Sequence, residues 1–338
     1  RGKSMVVMAK GVEAISKSLY DKGIISGVIG MGGTAGTLLA SSAMKAIPIG
    51  VPKLIISTVA SGDTSFYVGQ KDIAMMYSVS DFLGLNSISK AIISNSAAAM
   101  SGMVRNREII KDTEENTLIL STMMGVTTLC VSNARDRLKE KGYDLVAFHA
   151  IGSGGKAMES LIEEDQHNLV RGILDITTTE VMNSLVGGMC SAGPERLEVA
   201  GKIGIPQVVT CGAIDFVNFF PDSIPEKYKH RRFYLHNPST ILMRTDSEEN
   251  AKAGQLIAKK LNNSKGPVAF FIPLKGFSEI DAAGKDFYDP EINNAFIHSL
   301  EDNLASNIKI IKCDNHINDS EFAIKMSDYL FEMIDKNK

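Results

Sequence analysis

Apolar residues along this chain recur in two periods, one typical of helices and one typical of buried strands. Residues 3–20 predict an amphipathic helix, because apolar side chains recur there at spacings of three and four. Short apolar runs bounded by turn residues predict strands at residues 24–29 and 54–59. Further strands are predicted at residues 73–77, 117–124, 145–149, 173–176, 207–209, 268–272 and 308–311. Further helices are predicted at residues 87–105, 130–141, 248–261, 290–304 and 320–334, and one begins at residue 156.

The alternation of strands with helices predicts an α/β fold with mostly parallel sheets, because a parallel connection needs a crossover helix that covers the sheet. The 338 residues are enough for two hydrophobic cores. The segment Lys111–Asn116 is charged and poor in apolar residues, so it is the best linker between them. We therefore predict two α/β halves, residues 1–114 and 115–338, with a ligand cleft between them.

Two predicted strands run directly into glycine clusters that open helices. The first cluster supplies Gly30, Gly32, Gly33, Thr34, Gly36 and Thr37, and the second supplies Gly152, Ser153, Gly154 and Gly155. Backbone N–H groups of such turns can surround an anionic oxygen, and the helix amino terminus adds a partial positive charge. We expect both loops to bind a phosphate or a carboxylate in the same cleft, although a tight structural turn also explains such glycines. Neither loop is a Walker A motif, and no acidic residue completes a dinucleotide fingerprint.

Polar residues also follow two other predicted strands. Ser61, Gly62 and Asp63 lie beyond the strand at 54–59, where Asp63 could bind a ribose hydroxyl or Mg²⁺ or form an Asx turn. The second group is Asp175, Thr177, Thr178, Thr179 and Glu180. A helix N-cap explains one threonine of this group but not three.

Three histidines lie near predicted strand ends or loops, namely His149, His236 and His316. Their spacing matches no local metal motif, and a structural role for each competes with ligand contact.

Composition and charge narrow the function classes. The formal net charge is −3 and the pI is about 6.1, so no broad basic surface for nucleic acid or an anionic membrane is expected. The four cysteines form no CxxC pair, which argues against a zinc site or a disulfide framework. No run of eighteen apolar residues and no signal-peptide pattern occurs, so we expect a cytoplasmic protein.

Motifs along the whole chain resemble the family of the amino-terminal ATP-binding domain of the plant tobamovirus-resistance protein, an inhibitor of viral RNA replication. The segments that carry the resemblance are residues 30–37, 48–53, 57–62, 148–150, 172–181, 213–219, 242–245 and 316–319. The resemblance implies two Rossmann-like subdomains and ATP binding by the glycine loops. It also implies a strand with a Gly-Thr-x-Asp-Thr-Lys turn before the first helix, and we expect the first subdomain to lack that strand.

Three functions remain open at this point. The first is a binder of ATP or another phosphorylated metabolite, held between the two glycine loops. The second is a hydrolase-like or ligase-like enzyme in which Asp63, Asp175 or Glu180 holds Mg²⁺ and His149, His316 or Glu180 is catalytic. The third is a scaffold for a protein partner, as the plant relative implies.

The predicted helix at 87–105 bears on assembly. It is rich in small and apolar residues on more than one face, and a sheet covers only one face of a helix. We therefore expect a homo-oligomer, most simply a dimer.

Overall fold

A computed structural model describes residues 2–107, 117–165 and 168–336 of the chain. The chain divides into two compact units, Arg1–Lys111 and Asp112–Lys338. The predicted boundary at residues 114 and 115 and the whole predicted linker, Lys111–Asn116, lie outside the described residues. None of the described helices is long and apolar enough to cross a membrane.

The first unit has a parallel three-stranded sheet. Its elements are α1 (Gly2–Asp21), β1 (Val28–Gly32), α2 (Thr34–Lys45), β2 (Lys53–Ser57), α3 (Ser65–Val68), β3 (Ala74–Tyr77) and α4 (Ser87–Arg105). The strand order is β1-β2-β3, with Gly32 paired to Ser57 and Ser57 to Tyr77. The strand β2 is buried along its whole length, whereas α1 has no buried residue. The core of this unit is small and centres on Met44, Ile55 and Ile73.

The second unit is larger and contains two sheets. Its strands are β4 (Leu118–Met123), β5 (Asp144–His149), β6 (Val170–Thr177), β7 (Gln207–Gly212), β8 (Phe216–Phe219), β9 (Phe233–Asn237), β10 (Thr240–Arg244), β11 (Val268–Pro273) and β12 (Lys309–Cys313). Its helices are α5 (Thr128–Glu140), α6 (Ser153–Glu164), α7 (Thr179–Val186), α8 (Val199–Ile203), α9 (Ser247–Leu261), α10 (Pro290–Asn303) and α11 (Ser320–Lys336).

The main sheet of the second unit has six parallel strands in the order β12-β11-β7-β6-β4-β5. From β4 the chain adds β5 on one side and then β6 on the other side, so the direction in which strands are added to the sheet reverses between β4 and β6. Ligands of open α/β sheets bind at such a reversal, beyond the carboxyl ends of the strands. The prediction of an α/β fold with mostly parallel sheets is confirmed.

Side-chain alternation along the strands builds a core on each face of this sheet. In β7, Val208 packs with residues of α5 and α11, whereas Val209 packs with residues of α7, α9 and α10. The same alternation places Ile119 with the first set and Leu120 against α6 and α8. Both faces of the sheet are therefore covered by helices.

Local signals fix where several helices begin. Asp246 caps α9 through a hydrogen bond of 2.8 Å from the Glu249 N–H, and the Glu249 carboxylate accepts from the Asp246 N–H at 2.9 Å. Asp289 caps α10, and Pro290 occupies the first helical position, where no N–H partner is needed.

A small antiparallel sheet of order β8-β10-β9 was not predicted from the sequence. Its strands have four or five residues each, and the outer half of β9 is exposed, so they show no clear alternation.

Candidate functional site

The second glycine loop opens α6, and a carboxylate of the same chain occupies it. The Oε1 atom of Glu180 accepts hydrogen bonds from the N–H groups of Gly152 at 2.7 Å and Gly155 at 3.0 Å. The side chain of Glu180 is fully buried at the start of α7. The anion predicted for this loop is thus supplied, at these two donors, by the protein itself.

Close packing also accounts for the glycines of this loop. Gly152 has a φ of +91°, and a β-carbon there would lie 2.6 Å from the Ser191 carbonyl oxygen. A β-carbon on Gly154 would lie 1.9 Å from the carbonyl oxygen of His149. No side chain fits at either position without a shift of the backbone.

Arg196 neutralises the carboxylates behind this loop. Its guanidinium is 1% exposed and contacts Glu180 at 2.8 Å and Asp175 at 2.5 and 2.7 Å. The bidentate contact with Asp175 is the strong geometry for such a pair. Asp175 and Glu180 are two of the three residues predicted as magnesium ligands, and in the structure a guanidinium lies between them. The sequence analysis did not select Arg196, which follows a loop proline and belongs to no motif.

Glu159 of α6 extends the same cluster. Its carboxylate accepts from the N–H groups of Leu197 at 2.7 Å and Val199 at 3.0 Å, and lies 3.5 Å from Arg196. Burial raises the pKa of Glu159, although Arg196 opposes the shift. The cluster therefore fixes the segment that carries Arg196 against α6, which is a structural role.

The three threonines after β6 are fully buried, and each hydroxyl has a partner inside the second unit. Thr177 bonds to Thr122 O at 3.0 Å, Thr178 to Thr210 O at 2.9 Å, and Thr179 to Phe216 O at 3.4 Å. These bonds tie the end of β6 to β4, β7 and β8. Ligand contact by Thr177, Thr178 and Thr179 stays a prediction, and the geometry explains all three without a ligand.

The histidines occupy unlike environments. His149 is exposed at the end of β5, with Nδ1 3.3 Å from the Met123 carbonyl oxygen. His316 accepts from the Asn318 N–H at Nδ1, so its Nε2 donates to the Ser278 carbonyl oxygen at 2.9 Å. His236 lies exposed on β9. His149 and His236 are thus exposed, whereas His316 is partly buried.

The first glycine loop differs from the second because its helix amino terminus is not capped. Gly33 is the N-cap of α2 and makes no side-chain hydrogen bond. Among the described residues, no acceptor bonds the N–H groups of Thr34, Ala35 and Gly36. Thr34 is exposed, whereas Thr37 is buried and bonded to Ser57 at 2.6 Å. This loop retains the donors that an anion needs.

Packing explains the other glycines of the first loop. A β-carbon on Gly30 would lie 2.4 Å from the Ala40 β-carbon, and one on Gly32 would lie 2.9 Å from the Gly36 α-carbon. At Gly33, by contrast, the nearest atom would be Thr58 Oγ1 at 3.5 Å, an ordinary contact. Gly33 has an extended backbone with a φ of −78°, so its conformation does not require glycine.

A groove of about 400 Å³ adjoins the start of α2. It is lined by Gly2 and Met5 of α1, Thr34, Ala35 and Leu38 of α2, and Phe66 and Tyr67 of α3. The ring of Phe66 is 69% exposed and meets Tyr67 edge-on at 5.5 Å. Neither aromatic residue was selected from the sequence, because two adjacent aromatic residues in a helix of four residues carry no spacing signal.

Ser61, Gly62 and Asp63 are exposed beyond β2. Asp63 Oδ1 accepts from the Ser65 N–H at 2.9 Å. Hydrogen bonds from the side chain and the backbone of Ser65 lower the pKa of Asp63. The contact is an Asx turn that opens α3. No group of three or more His, Cys, Asp or Glu side chains among the described residues is placed to hold a metal ion.

Both units of the chain match known protein sequences. The N-terminal domain of the uncharacterised protein family UPF0261 matches residues 1–109, and the C-terminal domain of that family matches residues 116–334. A UPF0261 protein of Clostridium tetani is 48% identical over 99% of this chain and 83% of its own length. The ToMV resistance protein Tm-1 of Solanum lycopersicum is 41% identical over 100% of this chain, which spans 45% of the tomato protein.

Among solved structures, oxidised flavodoxin 2 from Bacillus cereus covers 65% of this chain and 99% of its own, at 10% identity and a TM-score of 0.23. A likeness this weak carries no argument. The family matches extend over both units, and they show that this chain belongs to the uncharacterised protein family UPF0261.

Proposed function

We propose that this protein binds a phosphorylated small molecule, ATP or a related nucleotide, at the amino terminus of α2. The observation that carries the proposal is the set of three N–H groups at Thr34, Ala35 and Gly36 that have no acceptor among the described residues. Thr34 and Ala35 line the groove of about 400 Å³ beside α2. A phosphate oxygen satisfies such donors and gains from the helix dipole.

The aromatic lining of the groove favours a ligand that also carries a planar ring. Phe66 exposes its ring beside Thr34 and Ala35, in the same groove. Lys45 holds this segment through a 2.7 Å hydrogen bond to the Phe66 carbonyl oxygen. Stacking of a base on an aromatic ring contributes about 1–3 kcal/mol.

The second glycine loop is a poorer site for the phosphate than the first loop. Glu180 already binds the Gly152 and Gly155 N–H groups, so a ligand anion must displace a buried carboxylate there. We therefore assign the phosphate to the first loop. A ligand cleft shared by both loops stays a prediction.

The relatives are compatible with a binding role that does not itself decide virus resistance. The ToMV resistance protein Tm-1 and the ToMV susceptible protein tm-1 of tomato are both 41% identical to this chain. The two names differ in resistance and susceptibility, so a role that does not depend on that difference is the simplest one to carry over to this chain.

A substitution at Thr34 tests the proposal. Proline is tolerated at the first position of a helix after an extended residue, and Gly33 is extended, with a ψ of −161°. Thr34→Pro removes one N–H donor and the hydroxyl, whereas Thr34→Ala removes the hydroxyl alone. Isothermal titration calorimetry with ATP should show Thr34→Pro binding about tenfold more weakly than Thr34→Ala. Equal affinities of the two variants, or no ATP binding by the unmodified protein, contradict the proposal.

The enzyme and scaffold alternatives have less support. Asp175 and Glu180 are bound to Arg196, which leaves no pair of free carboxylates for Mg²⁺ at that point. Incubation with a metabolite library separates the alternatives, since product formation requires an enzyme. A thermal shift without product supports a binder, and a protein scaffold gives neither.

A further inference from the structure

A second buried arginine, Arg244, lies near two buried carboxylates, Asp215 and Asp281, but donates no hydrogen bond to a carboxylate oxygen of either. Its N–H groups donate to the carbonyl oxygens of Phe287 at 2.8 Å and Asp215 at 3.0 Å, and to Asn293 Oδ1 at 2.7 Å. The nearest carboxylate oxygen is Asp281 Oδ1 at 3.8 Å, beyond hydrogen-bond distance. This differs from Arg196, whose guanidinium bonds directly to its carboxylates.

The two carboxylates of this cluster each have one oxygen without a partner. Asp215 and Asp281 are fully buried, and no hydrogen bond reaches Asp215 Oδ1 or Asp281 Oδ1 in the described part of the chain. Their other oxygens are engaged: Asp215 Oδ2 accepts from Ser278 at 2.7 Å, and Asp281 Oδ2 accepts from Phe277 N at 2.9 Å. Two carboxylates and one guanidinium leave one negative charge uncompensated. A buried pair of this kind is far more stable with one proton bound.

We propose that Asp215 and Asp281 form a proton-controlled latch, which holds the 276–281 loop against the turn between β7 and β8 while the pair keeps one proton and loosens that loop when the proton leaves.

The contacts of the 276–281 loop show what such a latch controls. The Phe277 carbonyl oxygen accepts from Ala213 N at 2.8 Å, in the turn after β7. Glu279 N donates to the Val126 carbonyl oxygen at 3.0 Å, in the turn after β4. The loop therefore connects the carboxyl ends of β4, β7 and β11, next to the reversal point where ligands of such sheets bind. Loosening it alters that edge of the sheet.

Burial and the charge of Asp281 raise the pKa of Asp215 to about 7, while Arg244 and the Ser278 hydroxyl oppose the rise. The folded state then binds more protons than the unfolded state from the ordinary carboxyl range up to about pH 7. The stability contributed by the bound proton is present below that range and is lost as the pH rises through about 7. The latch thus opens on the alkaline side.

Other titratable and charged groups surround the Asp215–Asp281 pair, and none of them takes the place of its proton. The groups that face the pair or its partners are Arg244, Cys211, Asp289, Arg232 and His316. Burial raises the pKa of the Cys211 thiol, which keeps it neutral. Asp289 is paired with Arg232 at 2.7 Å. His316 Nδ1 accepts from the Asn318 N–H at 3.2 Å, and its Nε2 lies 2.9 Å from the Ser278 carbonyl oxygen, so both ring nitrogens have partners other than the pair.

Amide hydrogen exchange of peptides from residues 274–289 tests the latch in the full chain, with rates corrected for the intrinsic effect of pH. Protection should fall about tenfold or more between about pH 6 and about pH 8. Asp215→Asn mimics the protonated carboxyl and still accepts from Ser278, so its protection should stay high without a pH step. Glu248→Gln removes a carboxylate from an exposed pair of the same unit and should keep the step.

Ser278→Ala provides a second variant that is independent of the carboxylates. It removes the hydrogen bond that favours the charged form of Asp215, so the midpoint of the step should move to higher pH. A flat profile of the unmodified protein, a step retained in Asp215→Asn, or a midpoint that moves to lower pH in Ser278→Ala would each overturn the proposal.

Discussion

At the scale of single residues, Glu180 links the second glycine loop to the charge cluster of the second unit. One of its oxygens accepts from Gly152 and Gly155, and the other contacts Arg196. Each of these three partners is buried. The loop and the guanidinium therefore depend on the same side chain.

Replacement of Glu180 by alanine should destabilise the protein by about 3–5 kcal/mol, because it leaves the buried Nε–H of Arg196 and two buried backbone N–H groups without an acceptor. Urea unfolding followed by circular dichroism measures the loss. Formate should restore part of it, since the vacated site is built for a carboxylate. Glu248→Gln, on an exposed pair, should change the stability by less than about 1 kcal/mol. A similar small change for Glu180→Ala would mean that the cluster relaxes freely.

At the scale of elements, the glycines at the junction of β1 with α2 differ in whether close packing requires them. A β-carbon on Gly30 meets Ala40 at 2.4 Å, whereas one on Gly33 meets only Thr58 Oγ1 at 3.5 Å. The φ of −78° at Gly33 is open to any residue. Gly33 can therefore be changed to test binding without loss of the fold.

Gly33→Val should cost about 1 kcal/mol of stability, as expected at an N-cap, and weaken ATP binding about tenfold or more by filling the space in front of the free N–H groups. Gly30→Val should destabilise the first unit far more, because its side chain collides with α2. Thermal unfolding and calorimetry on both variants check the two effects separately. Unchanged ATP affinity of Gly33→Val would make the first loop a structural turn.

At the scale of the whole molecule, α4 presents an uncovered stripe. Ile88, Ala91, Asn95 and Ala98 are exposed on one side of this helix, and Ser89 and Ser96 are buried on the other. Small residues at such spacing allow two helices to approach closely. We propose that a second copy of the chain covers this stripe by two-fold symmetry.

Light scattering should therefore give twice the mass of the 36.5 kDa chain at micromolar concentration. Ala98→Glu should reduce the mass to that of one chain, because it places an unpaired charge in the contact. Lys90→Glu, exposed on α4 beside the stripe, should leave the dimer intact. A monomer mass for the unmodified protein would refute the dimer.

Local signals in the sequence are enough to identify most elements. The helix predicted at 87–105 is α4, Ser87–Arg105, and the helix predicted at 248–261 lies within α9, Ser247–Leu261. Such helices combine periodic apolar residues with a cap, and both signals lie within one segment. The short strands β8, β9 and β10 were missed because their pairing depends on neighbours distant in the chain.

The sequence by itself determined the α/β class and the positions of both glycine loops, because periodicity and turn chemistry act between near neighbours. Only the tertiary structure decided which N–H groups of each loop have an acceptor among the described residues. Glu180 reaches Gly152 across 28 residues, and Arg196 reaches Asp175 across 21, with no pattern in the sequence to announce either contact. The two loops look alike as sequences. A buried carboxylate occupies the second loop, whereas three N–H groups of the first loop have no acceptor in the described part of the chain. Packing brings together charges and donors that are far apart in the chain.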